Sequence, residues 1–287
     1  MIRQLAHNGQ LTLRIAYSLF AQKAGSELAD YTRWIGMTKP GKGDDMLRVA
    51  GAGENLVWSA ADFENFLQPR PDLKPVMESE LEAVIRALVA ARWPFRIHAT
   101  YDETIERFLN VFERGNREVP FTGLRWFFDH AETISEKNIE RTRALGGGIA
   151  IQHRMAYQGE YFIRRYGRAA AQAVPPFKQM LAAGLPVGAG TDGTRVASYH
   201  PWTWLYWLTT GKTVGGTQVT TPENLLTREQ ALRLYTQGSA WFSGEAEKKG
   251  TLAEGQFADL AVLSDDYLSC PEDQIRRIES VLTVCDG

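Results

Sequence analysis

The sequence predicts a parallel α/β fold of the (β/α)8 TIM-barrel type. Apolar and β-branched runs alternate with helix-period segments from residue 11 to about residue 192. Three of those runs end on a residue able to bind a divalent cation: His98, His130 and Asp192. Site residues at the carboxyl ends of successive strands are characteristic of a parallel barrel. The spacing agrees, with one helix and its loops between His98 and His130 and room for one further strand before Asp192.

Taken in order, residues 11–20 alternate as a strand and 26–35 read as a helix. Gly, Pro, Lys and Asp make 36–45 a loop, and 47–50 is a short strand running into Gly51-Ala52-Gly53. Residues 54–75 are irregular, and Trp58, Phe63 and Phe66 mark them as an ordered, packed loop. Ser79 and Glu82 form a capping box for a helix with Leu81, Val84, Ile85 and Leu88 on one face. Strand 95–99 follows, then a helix capped by Asp102, strand 126–131, and a helix boxed by Thr133 and Glu136. Residues 149–152 are a buried strand. Helix 175–183 ends at Gly184, and strand 185–191 delivers Asp192. His200-Pro201-Trp202 opens an aromatic helix, and Thr227 with Gln230 boxes another. After residue 245 turn glycines and short apolar strands replace this rhythm. The chain therefore divides into a barrel portion, 1–245, and a small β segment, 246–287.

Bulk properties narrow the function. A hydrophobic content of 44% suits a globular core, and a net charge of -2 with dispersed Lys and Arg argues against nucleic acid or an anionic membrane as partner. No stretch approaches the about 18 apolar residues of a membrane span, and the first residues lack a signal-peptide core. Cys270 and Cys285 read as free thiols. These features point to a cytoplasmic protein acting on a small molecule.

Two imidazoles and a carboxylate form a plausible divalent-metal set with positions left for water and substrate. Zinc is the first expectation, with iron or manganese as alternatives. His153 and Arg154, just past a strand end, should face the site mouth, where Arg154 could bind a substrate carboxylate. Tyr101, just past His98, could line the pocket. Aromatic residues at 58–66 and 202–207 hint at an apolar or aromatic substrate.

The motifs His98-Ala-Thr-Tyr-Asp102, Asp129-His130-Ala-Glu132, Gly190-Thr-Asp192-Gly and the tail Gly250-Thr-Leu-Ala-Glu-Gly-Gln-Phe-Ala-Asp259-Leu-Ala-Val-Leu together resemble the amidohydrolase superfamily, more closely its amidohydrolase-3, YtcJ-like group. That resemblance implies a distorted TIM barrel with His98, His130 and Asp192 on its fifth, sixth and eighth strands. It also implies metal-assisted hydrolysis of an amide or cyclic amide C–N bond, with Asp192 as ligand and base. Two departures stand out. None of the five histidines forms the His-x-His pair expected on the first barrel strand. Where many relatives place a carboxylated lysine, this chain offers Glu54, as a bridging or binding carboxylate. The 11–20 strand resembles the third barrel strand, so strands 1–2 and part of a β-sandwich are expected to be absent. Two unpaired edges would then favour a homo-oligomer. The alternative to an enzyme is a catalytically silent, truncated chain serving as a binding or oligomerisation module, or needing a partner for strands 1–2.

Overall fold

The computed structural model describes residues 1–287 except 64 and 194–196. Six parallel strands run in sequence order: β1 (Ile15–Leu19), β2 (Leu47–Ala52), β3 (Phe95–Ala99), β4 (Trp126–His130), β5 (Gly148–Gln152) and β6 (Val187–Gly190). The sheet curls into a half-barrel. Its convex face is apolar: Phe95, Ile97, Trp126, Phe128, Ile149 and Ile151 are buried against helices Met77–Ala90, Asp102–Glu118 and Glu136–Ala144. The concave face carries Arg96, His98, Phe127 and Asp129. This period-2 division is what a strand imposes when one face is core and the other is site.

Strands β2 and β3 approach through glycine. A Cβ on Gly51 would lie 2.1 Å from the Pro94 carbonyl oxygen, and one on Gly53 would lie 2.0 Å from that of Arg96. No side chain fits at either place. At the close of this run the Glu54 carbonyl accepts from His98 N–H at 3.1 Å, tying the carboxylate-bearing residue to the end of β3.

Several caps differ from the local reading. The helix expected to start at Ser79 starts at Met77, because the fully buried Met77 packs into the core as its first residue; Ser79 Oγ donates to the Val76 carbonyl. Asp102 and Thr133 cap each other's segments. Thr133 Oγ1 accepts from Asp102 N–H at 3.0 Å, while Asp102 Oδ1 accepts from Ser135 N–H and Asn138 Nδ2, both at 2.7 Å. Ser135, not Thr133, is the N-cap of its helix. The Thr227–Gln230 box forms as read, and Gly184 ends its helix in the left-handed conformation at φ 74°. A helix at Arg154–Tyr166, which the local pattern does not announce, follows β5.

The free edge expected at β6 is covered by the chain itself. A π-helical turn, Leu234–Gly238, and the helix Ser239–Ser243 lie along it. Ser239 Oγ donates to the Ala189 carbonyl at 2.7 Å, and Gly238 abuts the Val187 carbonyl so closely that a Cβ would lie 2.4 Å from it. Phe242 enters the concavity against Phe127, with ring centroids 4.7 Å apart, beside Gly148 and Gly188. Beyond this segment, β7 (Leu260–Leu263) pairs antiparallel with β8 (Ser280–Val284). Arg14 ties that pair to the sheet through Asp259 and Asp286, each at 2.6 Å. No helix is long and apolar enough to cross a membrane among the described residues.

Candidate metal centre

Glu54, His98 and His130 converge at the carboxyl ends of β2, β3 and β4. One ligand atom from each lies within 4.8 Å of the others. Glu54 Oε1 is 2.7 Å from His98 Nδ1 and 3.3 Å from His130 Nε2. Register explains the arrangement. His98 pairs across from Asp129 and Ala99 from His130, so the second imidazole stands one residue further along. Alternation alone would send His130 to the convex face with Trp126 and Phe128. Its φ of 78° breaks that alternation. A left-handed non-glycine residue is uncommon and costs energy that the surroundings must supply. Asp192 has the same signature, with φ 51°.

The nitrogens turned away from Glu54 face buried acids. His98 Nε2 is 3.5 Å from Asp62 Oδ1, and His130 Nδ1 is 3.8 Å from Glu132 Oε1. Asp62 is anchored by N–H groups of Thr100 and Tyr101. A carboxylate behind an imidazole fixes its orientation and raises its basicity as a ligand. The remaining Glu54 oxygen, Oε2, accepts from Arg96 Nη2 at 2.9 Å, and Arg96 Nε donates to Asp129 at 2.7 Å. Thus every member of the cluster is held from behind while its ligand atom faces the others.

Burial alone would raise the Glu54 carboxyl, but hydrogen bonds from His130 and His98 and the Arg96 charge hold it well below the usual carboxylate range. Burial dominates elsewhere. It pushes Asp62 up to about 6 against the opposing charge of His98, and Asp129 up to about 6 against that of Arg96. An ionised Glu54 beside two imidazoles is the donor chemistry a divalent cation requires.

These residues floor a cavity of about 720 Å³ lined also by Phe20, Trp58, Phe63, Arg154 and Asp192. Asp192 is on the cavity wall, where its Oδ2 accepts from Arg154 Nη2 at 3.2 Å. The structure thus brings His98, His130, Glu54, Arg154 and Asp192 to one cavity. Tyr101, read from sequence as a pocket residue, is 1% exposed and packs in the core against Phe66 and under Arg70. His153 is likewise not at the mouth. It is fully buried between Tyr157 and Trp204, and burial lowers its pKa to about 4. Trp204 and Trp207 are core residues too, which removes the 202–207 segment from any substrate wall.

With this geometry in view, comparison with known proteins assigns the lineage: residues 1–287 match the amidohydrolase family, amidohydrolase-3 group. The chain belongs to the amidohydrolase family. The N-substituted formamide deformylase of Arthrobacter pascens is 30% identical over 112 residues, 39% of this chain and 20% of that protein. YtcJ of Bacillus subtilis strain 168 is 27% identical over 195 residues, 67% of this chain and 36% of that protein. A solved structure of an uncharacterized metal-dependent hydrolase from Pyrococcus horikoshii OT3 superposes with a TM-score of 0.73 at 21% identity, over 95% of this chain and 55% of that one. This amidohydrolase-family chain therefore spans about a fifth to a third of the two relatives and about half of the solved structure.

Sequence reasoning missed Arg96 and Asp62. The available signal for Arg96 was alternation: it sits two residues before His98 and so shares its face. For Asp62 there was none, because its partners lie across a loop with no period.

Proposed function

We propose that this amidohydrolase-family chain carries the metal centre of a hydrolase that cleaves the C–N bond of an amide or cyclic amide. The observation that supports it most is the convergence of Glu54, His98 and His130, each braced from behind by Arg96, Asp62 or Glu132. These three residues would hold the cation, with Asp192 as a fourth donor from the cavity wall. Zinc suits two nitrogens and carboxylate oxygens, and iron or manganese accept the same donors. A divalent cation there would polarise the amide carbonyl and lower the pKa of water.

The protein's own groups then have distinct tasks. Asp192 takes a proton from the attacking water at a carboxylate oxygen and passes it to the leaving nitrogen. Water adds to the carbonyl carbon, the C–N bond breaks, and acid and amine are released. Arg154 orients Asp192 through the 3.2 Å contact. Arg96 keeps Glu54 ionised and aimed inward.

The test is elemental analysis of the purified chain, followed by release of amine from N-substituted formamides. About one metal per chain, with turnover lost in chelator, restored by zinc and abolished in Asp192→Asn, is the expected result. Absence of metal even after incubation with zinc would instead favour a catalytically silent chain.

A further inference from the structure

We infer that Phe20, Trp58 and Phe63 form a subsite for a neutral aromatic substituent carried next to the scissile bond. The inference deepens the hydrolase reading and rests on it for the position of the reacting group. Three aromatic side chains from two segments, Phe20 after β1 and Trp58 and Phe63 in the loop after β2, reach the cavity that holds the metal cluster. Two of them are open to solvent there: Phe63 is 52% exposed and Phe20 39%. Large apolar side chains left exposed together around a concave site are a common mark of ligand contact.

The wall is also built to stay in place. Trp58 Nε1 donates to the Ala21 carbonyl at 3.1 Å, and its backbone N–H donates to the buried Glu27 carboxylate at 3.0 Å. Ala21 follows Phe20 directly, so the indole is pinned to the loop that presents the phenyl ring. Phe63 stands edge-on to His98, with centroids 4.7 Å apart and planes at 72°. An aromatic group resting on Phe63 is therefore beside the ligand histidine. A cavity of about 720 Å³ has room for such a group as well as the amide.

Charge selects neutral over anionic substituents. Among the described residues, the two guanidinium groups that line the cavity are engaged by carboxylates, Arg96 by Glu54 and Asp129, and Arg154 by Asp192. An anionic substituent would have to displace one of those partners, whereas a ring needs only the wall. Ring pairing adds to simple burial of apolar area.

The experiment is a binding comparison on the full chain equilibrated with zinc, using N-benzylacetamide, N-methylacetamide and N-acetylglycine, with calorimetry or ligand-observed NMR as readout. The benzyl amide should bind about tenfold or more tightly than the methyl amide. Phe63→Ala and Phe20→Ala should each erase most of that ratio by weakening the benzyl amide more than the methyl amide, and Phe63→Leu should restore part of it. Equal binding of benzyl and methyl amides, no binding of either, equal losses for both in Phe63→Ala, or preference for the carboxylate probe would overturn the subsite. Acetate release in the same samples tests the hydrolase reading separately. A benzyl amide that is held by the wall but never cleaved upholds the subsite and counts against C–N hydrolysis.

Discussion

The two ends of the half-barrel both bury charge, and they use it differently. At the carboxyl ends, Glu54, His98 and His130 point their ligand atoms at one another, with Arg96, Asp62 and Glu132 behind them. At the amino ends, Arg48 donates to the Ser243 carbonyl at 2.7 Å and pairs with Glu245 at 2.7 Å, while Lys249 closes on the same carboxylate at 2.6 Å. Glu245 is 2% exposed; burial would raise its carboxyl, but Lys249, Ser243 and Arg48 keep it below the usual range. There two cations close on one buried carboxylate and strap the C-terminal segment to β2. Ligand atoms that converge on a shared point mark a candidate site, whereas cations closed on one carboxylate are a fastening. This follows the usual division of a parallel barrel, with chemistry at one end and stability at the other.

Mutations can break that comparison. Glu54→Ala should have the largest effect, weakening zinc binding by more than the about 100-fold typical of losing a supporting residue. Calorimetric titration checks it, and unchanged affinity would mean the cluster does not hold metal. Arg96→Met should cost about 3 kcal/mol of stability, because it leaves Glu54 and Asp129 without their shared cation. It should also weaken metal binding, seen by denaturant melts with and without zinc. Glu245→Gln should cost about 2 kcal/mol while leaving zinc affinity as it was. Weakened zinc binding in that variant would dissolve the distinction between the two ends.

The smallest effect sharpens the contrast through pH. Burial, reinforced by the Arg154 charge, lowers His153 from 6.5 to about 4. A depressed folded-state pKa means the unfolded chain binds more protons between those values. The stability His153 contributes is therefore whole above pH 6.5 and declines as pH falls toward 4. His153→Phe should lack that component, so its melting temperature should fall less steeply than the wild type's over this window. Identical slopes would show that His153 takes no part in acid sensitivity.

Local signals were legible where the cause is local. The ligand-bearing strand ends, the Thr227–Gln230 box and the Gly184 stop all depend on period, residue type and near neighbours. Asp102 and Thr133 were misread because each serves a segment about 31 residues away rather than its own. β6 is an edge strand as read, but nothing within β6 says that the helical segment 234–243 returns to lie along that edge.

The sequence by itself determined the parallel α/β rhythm, the amidohydrolase resemblance and the identity of His98, His130 and Asp192 as residues of interest. Alternation and strand-end placement are written into neighbouring residues, so they survive without a fold. Only the tertiary structure decided that Glu54 closes the cluster, from 44 residues before His98 and 76 before His130. It alone withdrew Tyr101 and His153 into the core and set Phe20, Trp58 and Phe63 around the cavity. Those outcomes depend on which strand lies beside which, on glycines that let β2 approach β3, and on a backbone turned left-handed at His130. Contacts of that range are properties of packing, and a single chain read in order does not contain them.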